Sequence, residues 1–484
     1  MSDDKAVYIT TTLPYVNAAP HVGFAMEIIR ADSLARYYRS LGKEVFLNTG
    51  TDEHGAKIHE AAMAEGISPQ EYTDKLAVRF KDLAPALNLK IDNFIRTTDA
   101  HHVAAAQEFW KLCAKKGDIY KKQYSVKYCV GCELEKTDSE LVDGRCAIHP
   151  NREIELRDEE NYFFKFSNYE KPLLAFYEAH PDFVIPDFRF NEMRAFVGNG
   201  LQDFSISRLA TKMPWGVPVP GDEEHVMYVW FDALVNYISA IGWPTDMSQF
   251  NKLWPVIQYC GKDNNRQQSA MWQAMLMSAG IENSKHIIIN GFIVSGGQKM
   301  SKSLGNVISP FDVIERYKPL TPFPEDVLRF VLLHDIPSFE DGDMTMESIA
   351  ISYAANLQNG IGNLTNRIMK MATTYGANAS FEELDGATAT VELSLMMESF
   401  DLQKGIGAVV ERMRELDRTI QSTEPFKKIK VEPEEAKRDV HAMLIELYAI
   451  GRDLAVFLPR TGEAVMNFVK ENKMPETPLF ARVG

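Results

Sequence analysis

The sequence predicts an α/β protein in which a parallel sheet is split by an insertion and followed by a helical region. Apolar runs at residues 6–12 and 286–294, each leading into a loop, indicate buried strands. Paired cysteines indicate the insertion. An apolar stripe at helical spacing from Ile349 to Met371 predicts a single bundle helix and with it the helical region. We place the two halves of the sheet domain at 1–116 and 223–303, the insertion at 117–222, a junction at 304–345 and the helical region at 346–484.

Composition favours a soluble protein of several domains. The 484 residues are 45% hydrophobic and 25% charged, which suggests about three domains. No basic-then-apolar leader and no membrane-length apolar stretch are present. Five cysteines in a chain without a secretory leader predict a reducing, cytoplasmic location and no disulfides. A net charge of −15 argues mildly against a nucleic-acid partner, although a basic groove on an acidic body would still bind one.

The N-terminal segment reads as strand, loop, helix, strand. Ala6–Thr12 is the first strand, apolar residues then recur at helical spacing from Ile28 to Leu41, and Gly42 suits the helix end. Val45–Leu47 is the next strand. A nucleotide phosphate fits the N-terminus of such a helix, where free backbone N–H groups and the helix dipole face it. His21 lies there as a candidate phosphate donor, although a lone histidine at a helix start is more often a simple cap.

The insertion contains two knuckles with the spacing of zinc ligands. Cys129-x-x-Cys132 and Cys146-x-x-His149 supply four soft ligands for a tetrahedral ion. Four protein ligands fill the tetrahedral coordination shell and leave no position for substrate or water, so we expect one structural zinc. The alternative is a small core filled by reduced cysteines.

The loop at residues 295–303 reads SGGQKMSKS and is a second candidate phosphate site. Gly296 and Gly297 predict a mobile turn, and Lys299 and Lys302 supply paired ammonium groups. Any Lys-x-x-Lys taken alone is usually a basic surface turn. Here it occurs together with the loop TTLPYVNAAPHVG at residues 11–23, which also follows a strand and opens a helix.

The two loops resemble the HIGH and KMSKS signatures of class I aminoacyl-tRNA synthetases. KMSKS is complete at residues 299–303, whereas HIGH appears as HVGF at residues 21–24, with Phe24 in place of the last histidine. The stretch TGTDEHG at residues 49–55 is similar to the methionine branch of that family, and from there the resemblance covers nearly the whole chain. The insertion is too short for the editing domains of the valine, isoleucine and leucine enzymes.

The resemblance implies a Rossmann-type catalytic domain, split by a zinc-binding connective insertion, and an α-helical bundle that binds the anticodon. It implies a ligase that activates L-methionine with ATP and magnesium and transfers it to tRNA(Met). The residues implied for catalysis are His21, Lys299 and Lys302, and those for ATP are His21, Gly23, Asp263, Lys299, Ser301 and Lys302. Those implied for methionine are Leu13, Tyr15, Asp52, Trp230, Ala233, Tyr237 and Gln268, with Arg208 supporting Asp52. Those implied for the anticodon are Asn363, Arg367 and Phe426.

The chain departs from the family pattern after the GKD triplet that ends at Asp263. Asn264, Gln267 and Gln268 stand where an apolar residue and a Phe-His pair are usual. Buried amides without partners are costly, so we expect both glutamines to bond to protein or water rather than to the substrate side chain. Phe24 removes one donor near the phosphates.

Two alternatives remain open at the level of sequence. One is a class I synthetase for another small apolar amino acid, and the other is a tRNA-binding or regulatory paralogue without efficient catalysis. Because the chain ends without the dimer-forming domain that some relatives append, we expect a monomer.

Overall fold

The computed structural model describes residues 6–132, 134–136, 140–300, 305–385 and 391–482. Its framework is a six-stranded parallel sheet between two apolar cores. Neighbouring residues of one strand enter opposite cores, as Tyr8 and Ile9 do, because side chains alternate across a sheet. Among the helices of these ranges, none combines the length and the apolar character needed to cross a membrane.

The first half of the sheet follows the predicted order of strand, loop, helix and strand. Its elements are β1 (Val7–Thr11), α1 (Val22–Ser40), β2 (Val45–Thr51), α2 (Ala56–Glu65), α3 (Pro69–Lys81), α4 (Leu83–Ala86), β3 (Asn93–Arg96) and α5 (Ala100–Lys116). The strand predicted at Val45–Leu47 is longer than expected, because β3 pairs with its second half from Asn48 to Thr51. Gly42 follows α1 with φ of +77°, a conformation that glycine favours, so the predicted end of the helix is confirmed.

The insertion is built largely of antiparallel strands. Its elements are β4 (Ile119–Cys129), β5 (Leu134–Lys136), β6 (Leu141–Val142), β7 (Arg145–Cys146), β8 (Glu155–Phe164), α6 (Glu170–Ala179), β9 (Val184–Ile185), α7 (Asp187–Gly198), β10 (Phe204–Ser205), β11 (Ser207–Leu209), β12 (Pro218–Val219) and β13 (Asp222–Met227). β4 and β8 form a long ribbon, with Ile119 opposite Phe164 and Tyr128 opposite Glu155. The predicted metal ligands lie at one end of this ribbon.

The second half returns to the parallel sheet. Its elements are α8 (Val229–Leu234), α9 (Asn236–Ser239), α10 (Met247–Leu253), β14 (Ile257–Gly261), α11 (Trp272–Ala279), β15 (His286–Asn290), β16 (Ile293–Ser295) and β17 (Gln298–Lys299). The strand order is β3-β2-β1-β14-β15-β9, and every pairing is parallel. β1 and β14 are adjacent, but their connections lead to opposite sides of the sheet. This switch point opens a crevice beyond the carboxyl ends of the two strands.

The apolar run His286–Val294, predicted as one strand, is divided between two sheets. β15 ends at Asn290, and β16 belongs to a separate three-stranded sheet with β17. Gly291 lies between them, and a Cβ there would come within 2.1 Å of the Glu340 carbonyl oxygen. The predicted glycine turn is confirmed, since Gly296 and Gly297 have φ of +62° and +73° and join β16 to antiparallel β17.

The described residues from 305 onwards are mainly helical, with one short strand. Its elements are α12 (Pro310–Tyr317), α13 (Pro324–Phe330), β18 (Gly342–Asp343), α14 (Met346–Ser352), α15 (Asn363–Tyr375), α16 (Phe381–Asp385), α17 (Val391–Glu398), α18 (Leu402–Thr423), α19 (Pro425–Lys428), α20 (Pro433–Leu454) and α21 (Pro459–Glu471). The single helix predicted from Ile349 to Met371 is wrong. Tyr353–Gly362 winds in wide turns and kinks at Gly360, which separates α14 from α15.

Candidate active site and metal cluster

A cavity of about 610 Å³ opens at the switch point between β1 and β14. Its wall includes ten of the residues implied for ATP or methionine: Leu13, Tyr15, His21, Gly23, Asp52, Trp230, Ala233, Tyr237, Asp263 and Gln268. They come from both halves of the sheet domain, so the fold brings together segments that are more than 200 residues apart. The sequence motifs therefore converge on one site.

The nucleotide side of the cavity is the N-terminus of α1. His21 caps this helix, and its Nδ1 accepts the backbone N–H of Gly23 at 3.0 Å. Because Nδ1 is the acceptor, the neutral imidazole carries its hydrogen on Nε2 and can donate it. A Cβ on Gly23 would lie 2.8 Å from the His21 ring, so only glycine permits this cap. The geometry offers an N–H donor at a helix end, which suits an anion.

The loop after β1 is held against the end of β2 by backbone pairing. Tyr15 and Asp52 form an isolated parallel bridge. The Asp52 N–H donates to the Pro14 carbonyl at 2.9 Å, and the Val16 N–H donates to the Asp52 carbonyl at 3.1 Å. The aromatic ring and the carboxylate are thus fixed beside each other on the cavity wall. Such a pair suits a ligand with an ammonium group next to an apolar chain.

The two glutamines that depart from the family pattern lie in a wide helical turn, Gln267–Met271, and both line the cavity. The Gln268 amide is bound to protein, because its Nε2 donates to the Tyr237 hydroxyl at 2.7 Å and its Oε1 accepts from Gln258 at 3.0 Å. The expectation of protein partners is therefore confirmed for Gln268. For Gln267 it stays a prediction, since the buried Oε1 has no protein partner within the described ranges.

Glu27 and Asn290 are two polar wall residues that the sequence analysis did not identify. Glu27 is buried on α1 and accepts the Thr12 N–H at 2.6 Å. Burial raises the pKa of the Glu27 carboxyl to about 8, and nearby Asp263 adds to the effect. Arg30 donates to Asn290 Oδ1 at 2.8 Å, which turns the Asn290 Nδ2 away from the guanidinium.

Asp232 anchors the wall formed by α8 to the rest of the sheet domain. Its two oxygens contact His54 Nδ1 at 2.6 Å and His102 Nε2 at 2.8 Å, and all three side chains are buried. Burial alone would raise the pKa of Asp232, but the two histidines lower it to about 2. His54 follows Asp52 by two residues, so this network also positions the loop that presents Asp52.

Cys129, Cys132, Cys146 and His149 form one cluster, with ligand atoms all within 4.8 Å of one another. The Cys132 Sγ lies 3.3 Å from Cys146 Sγ and 3.2 Å from His149 Nδ1. Bonds of about 2.0–2.3 Å in a tetrahedron give ligand separations of roughly 3.5–3.8 Å, so the set fits a zinc ion. The spacing-based prediction of a four-ligand site is supported by this geometry.

The cysteine cluster borders the cavity rather than standing apart from it. Cys132 and His149 both line the cavity wall. Lys57 at the start of α2 donates to the Gly131 carbonyl at 2.7 Å and lies 5.8 Å from the centre of the Tyr15 ring. One lysine therefore joins the knuckle to the loop that carries Tyr15.

The second loop is only partly within the described residues. Ser301 and Lys302 lie outside them, and only the backbone of Lys299 is described, in β17. Met300, the next residue, lines the cavity and brings the start of the KMSKS stretch to the site.

Arg208 packs against the segment that leads into α8. Its guanidinium donates to Ser205 Oγ at 2.8 Å and to the Ser207 carbonyl at 2.7 Å. It also lies 4.4 Å from the centre of the Tyr228 ring, directly before α8.

A separate cavity of about 300 Å³ lies in the helical region, between α15, α18 and α19. Arg367 and Phe426 line it together with Lys370, Met371, Thr374, Tyr375 and Ile420. Arg367 is half-buried and ion-paired with Asp417, and Phe426 is 42% exposed. Asn363 is exposed one helical turn before Arg367. The sequence analysis missed the second aromatic, Tyr375, and the second cation, Lys370.

Comparisons with known proteins agree with this site. Residues 7–148 and 131–369 match the family model described as tRNA synthetases class I (M), so the fold and its cavity define a class I tRNA synthetase. Methionine–tRNA ligases of Thermotoga maritima and Brucella suis are 41% and 37% identical, over 87% and 97% of this chain and 68% and 92% of theirs. Mycobacterium tuberculosis methionyl-tRNA synthetase in complex with methionyl-adenylate matches with a TM-score of 0.89 and 33% identity, over 99% of this chain and 100% of that chain. The chain belongs to the methionyl-tRNA synthetases.

Proposed function

We propose that the cavity at the switch point joins L-methionine to ATP and that the resulting methionyl-adenylate is then transferred to tRNA(Met). The observation that carries this proposal is the convergence of His21 at a helix N-terminus and Asp52 beside Tyr15 on one cavity wall. His21 at the helix N-terminus suits the phosphates of a nucleotide, and Asp52 beside Tyr15 suits an amino acid. Family membership supports the same activity.

Activation requires no covalent enzyme nucleophile. The methionine carboxylate attacks the α-phosphate in line, pyrophosphate leaves, and the protein contributes position and charge stabilisation. The His21 Nε2–H and Lys302 stabilise the charge that develops on the α-phosphate, and Lys299 holds the pyrophosphate end. Asp263, Gly23 and Ser301 complete the ATP site, with the Asp263 carboxylate accepting from the ribose.

The amino-acid subsite combines one carboxylate with a largely apolar wall. Asp52 binds the α-ammonium group, and Arg208 supports its loop through the segment before α8. Leu13, Tyr15, Trp230 and Ala233 surround the thioether. The hydroxyl of Tyr237 donates weakly to the sulfur.

Two metal ions complete the proposal. Cys129, Cys132, Cys146 and His149 would hold one zinc, which would fix the end of the insertion beside the cavity in a structural role. Magnesium accompanies ATP and neutralises phosphate charge. The reduced state of the zinc thiolates fits a cytoplasmic location.

The cavity of the helical region is proposed to read the anticodon. Phe426 and Tyr375 both line it, and an exposed aromatic face can stack on a base. Arg367 and Lys370 supply cations, and Asn363 supplies an amide on the same helix.

The test is ATP–pyrophosphate exchange with each of the twenty amino acids. Methionine should support exchange, and Lys302→Ala should reduce it strongly while methionine binding persists. Lys285→Ala, which removes an exposed lysine outside the loop, serves as the control and should leave exchange unchanged. A higher rate with another amino acid would overturn the substrate assignment. tRNA binding without exchange would indicate the non-catalytic paralogue.

A further inference from the structure

Cys132 differs from the other four cysteines in its access to solvent. It is half-buried and lines the wall of the large cavity. Cys113, Cys129, Cys146 and Cys260 are buried. A small solute that enters the cavity therefore reaches Cys132 before it reaches a buried thiol.

The sulfur of Cys146 lies next to the sulfur of Cys132. The two Sγ atoms are 3.3 Å apart. A disulfide bond measures about 2.05 Å, so each sulfur needs to move by only roughly 0.6 Å to form one. Cys132 lies in the turn between β4 and β5, and Cys146 ends the short strand β7, so neither is held inside a long element. Cys129, in contrast, ends the long strand β4, and its Sγ accepts the Cys132 backbone N–H at 3.4 Å.

The thiols of the cluster are reactive in the state that binds a metal. A cysteine that coordinates zinc is deprotonated, and the thiolate is the form of cysteine that attacks an oxidant. We propose that Cys132 is an oxidation site on the cavity wall, where a hydroperoxide joins it to Cys146 as a disulfide and so releases the zinc.

The proposed oxidation takes two steps. The Cys132 thiolate attacks one oxygen of hydrogen peroxide, the O–O bond breaks, hydroxide leaves, and Cys132 becomes a sulfenic acid. The Cys146 thiolate then attacks the Cys132 sulfur, the S–S bond forms, and a second hydroxide leaves. The two thiolates lose two electrons in all. The peroxide takes up those electrons and, with two protons from solvent, becomes two water molecules.

The disulfide has two consequences for the insertion. It leaves Cys129 and His149 as the remaining ligands, and two ligands are too few for a structural zinc site. His149 lines the cavity, and Lys57 bonds to the carbonyl of Gly131, directly before Cys132. A change in the knuckle therefore reaches the cavity wall, and exchange activity should fall as zinc is lost. Only this last step rests on the proposed function of the cavity.

The test treats the zinc-loaded chain with hydrogen peroxide and follows three quantities. Zinc release is measured with a chromogenic chelator, the disulfide by mass spectrometry of an unreduced digest, and activity by ATP–pyrophosphate exchange with methionine. One zinc should appear for each disulfide, and the disulfide should join Cys132 to Cys146. A thiol reductant with added zinc should reverse all three changes.

Cys132→His separates metal binding from oxidation. The variant keeps four ligands, as in sites with two cysteines and two histidines, but lacks the accessible thiol. Its zinc release at a fixed peroxide concentration should be at least about tenfold slower than that of the parent. The control is Cys113→Ser, which removes a buried thiol outside the cluster and should release zinc at the rate of the parent. Cys146→His, which removes the other sulfur of the pair, is the second variant should Cys132→His not bind zinc.

The zinc and disulfide measurements need no substrate, so they decide the inference separately from the proposed function. A disulfide that includes Cys129, zinc release without a disulfide, or equal release rates in the parent and the histidine variant would overturn the inference. A parent that carries no zinc would also overturn it. Full exchange activity after complete disulfide formation would overturn the link between the oxidation site and the cavity. Absence of exchange before oxidation would overturn the proposed function alone.

Discussion

At the scale of single residues, the nucleotide side of the cavity contains a carboxyl group that is mostly protonated. Glu27 is buried, accepts the Thr12 N–H, and has a pKa raised by burial to about 8. The raised pKa means that the folded chain binds a proton that the unfolded chain releases above its own carboxyl pKa. Stability from this group is therefore fully present at low pH and is lost as pH rises towards 8.

Glu27→Gln should remove this dependence, because the amide keeps the size of the side chain but does not ionise. Relative to the variant, the free energy of unfolding of the parent should decline with pH by up to about 1.4 kcal/mol per unit between pH 5 and 8. Denaturant unfolding at several pH values measures the difference. Parallel curves for the two proteins would show that Glu27 ionises normally.

The sequence identified wall residues that follow strands and missed those that lie within elements. Asp52 and Asp263 come at or just after strand ends, where the carboxyl edge of a parallel sheet places them at the ligand. Glu27 lies inside α1, where a carboxylate normally faces solvent. Its position four residues after Gly23, on the same helix face, was the available signal. Asn290 was hidden in an apolar run, and its contact with Arg30 joins residues 260 positions apart, which no local pattern reveals.

At the scale of elements, tertiary contacts decided what local patterns left undetermined. The run from His286 to Val294 has continuous strand propensity, and only the approach of Glu340 to Gly291 divides it. The knuckles were predictable, because ligand spacing is local. Their position against the cavity was not, since it involves contacts between residues far apart in sequence, such as the bond between Lys57 and Gly131.

Cys132→Ser tests whether the cysteine cluster binds a structural zinc. The purified chain should carry about one zinc, and the variant should lose it, because removal of one thiolate opens the closed set. Since Cys132 and His149 border the cavity, exchange activity should fall with the metal. Elemental analysis measures the zinc, and thermal unfolding should show a lower Tm.

The matched control for the cluster is Cys113→Ser, a buried cysteine on α5 outside the four ligands. It should retain the metal. Metal-free parent protein with full activity would contradict the structural role.

At the scale of the whole molecule, one apolar core continues from the sheet into the helical region. Ile9 of β1 and Ile406 of α18 belong to the same buried cluster. Arg329 crosses this junction, pairing with Asp32 at 2.8 Å and donating to the Phe457 carbonyl at 2.7 Å. Burial opposes ionisation of Asp32, but the guanidiniums of Arg329 and Arg36 hold the pKa of that carboxyl below its ordinary value. Removing one partner of a buried ion pair typically lowers the free energy of unfolding by about 3–5 kcal/mol. The ion pair between Arg329 and Asp32 therefore stabilises the junction between the two regions.

The two cavities share no lining residue, so their roles are separable by experiment. Phe426 lies in the helical region and lines only the smaller cavity, so Phe426→Ala should leave ATP–pyrophosphate exchange unchanged. Loss of base stacking worth ~1–3 kcal/mol should lower kcat/KM for aminoacylation of tRNA(Met) about five- to 150-fold. Phe381→Ala, which removes an exposed phenylalanine from α16 outside that cavity, is the control and should affect neither reaction. If Phe426→Ala lowers exchange and aminoacylation together, the ring supports the fold instead, and stacking on the anticodon is not its function.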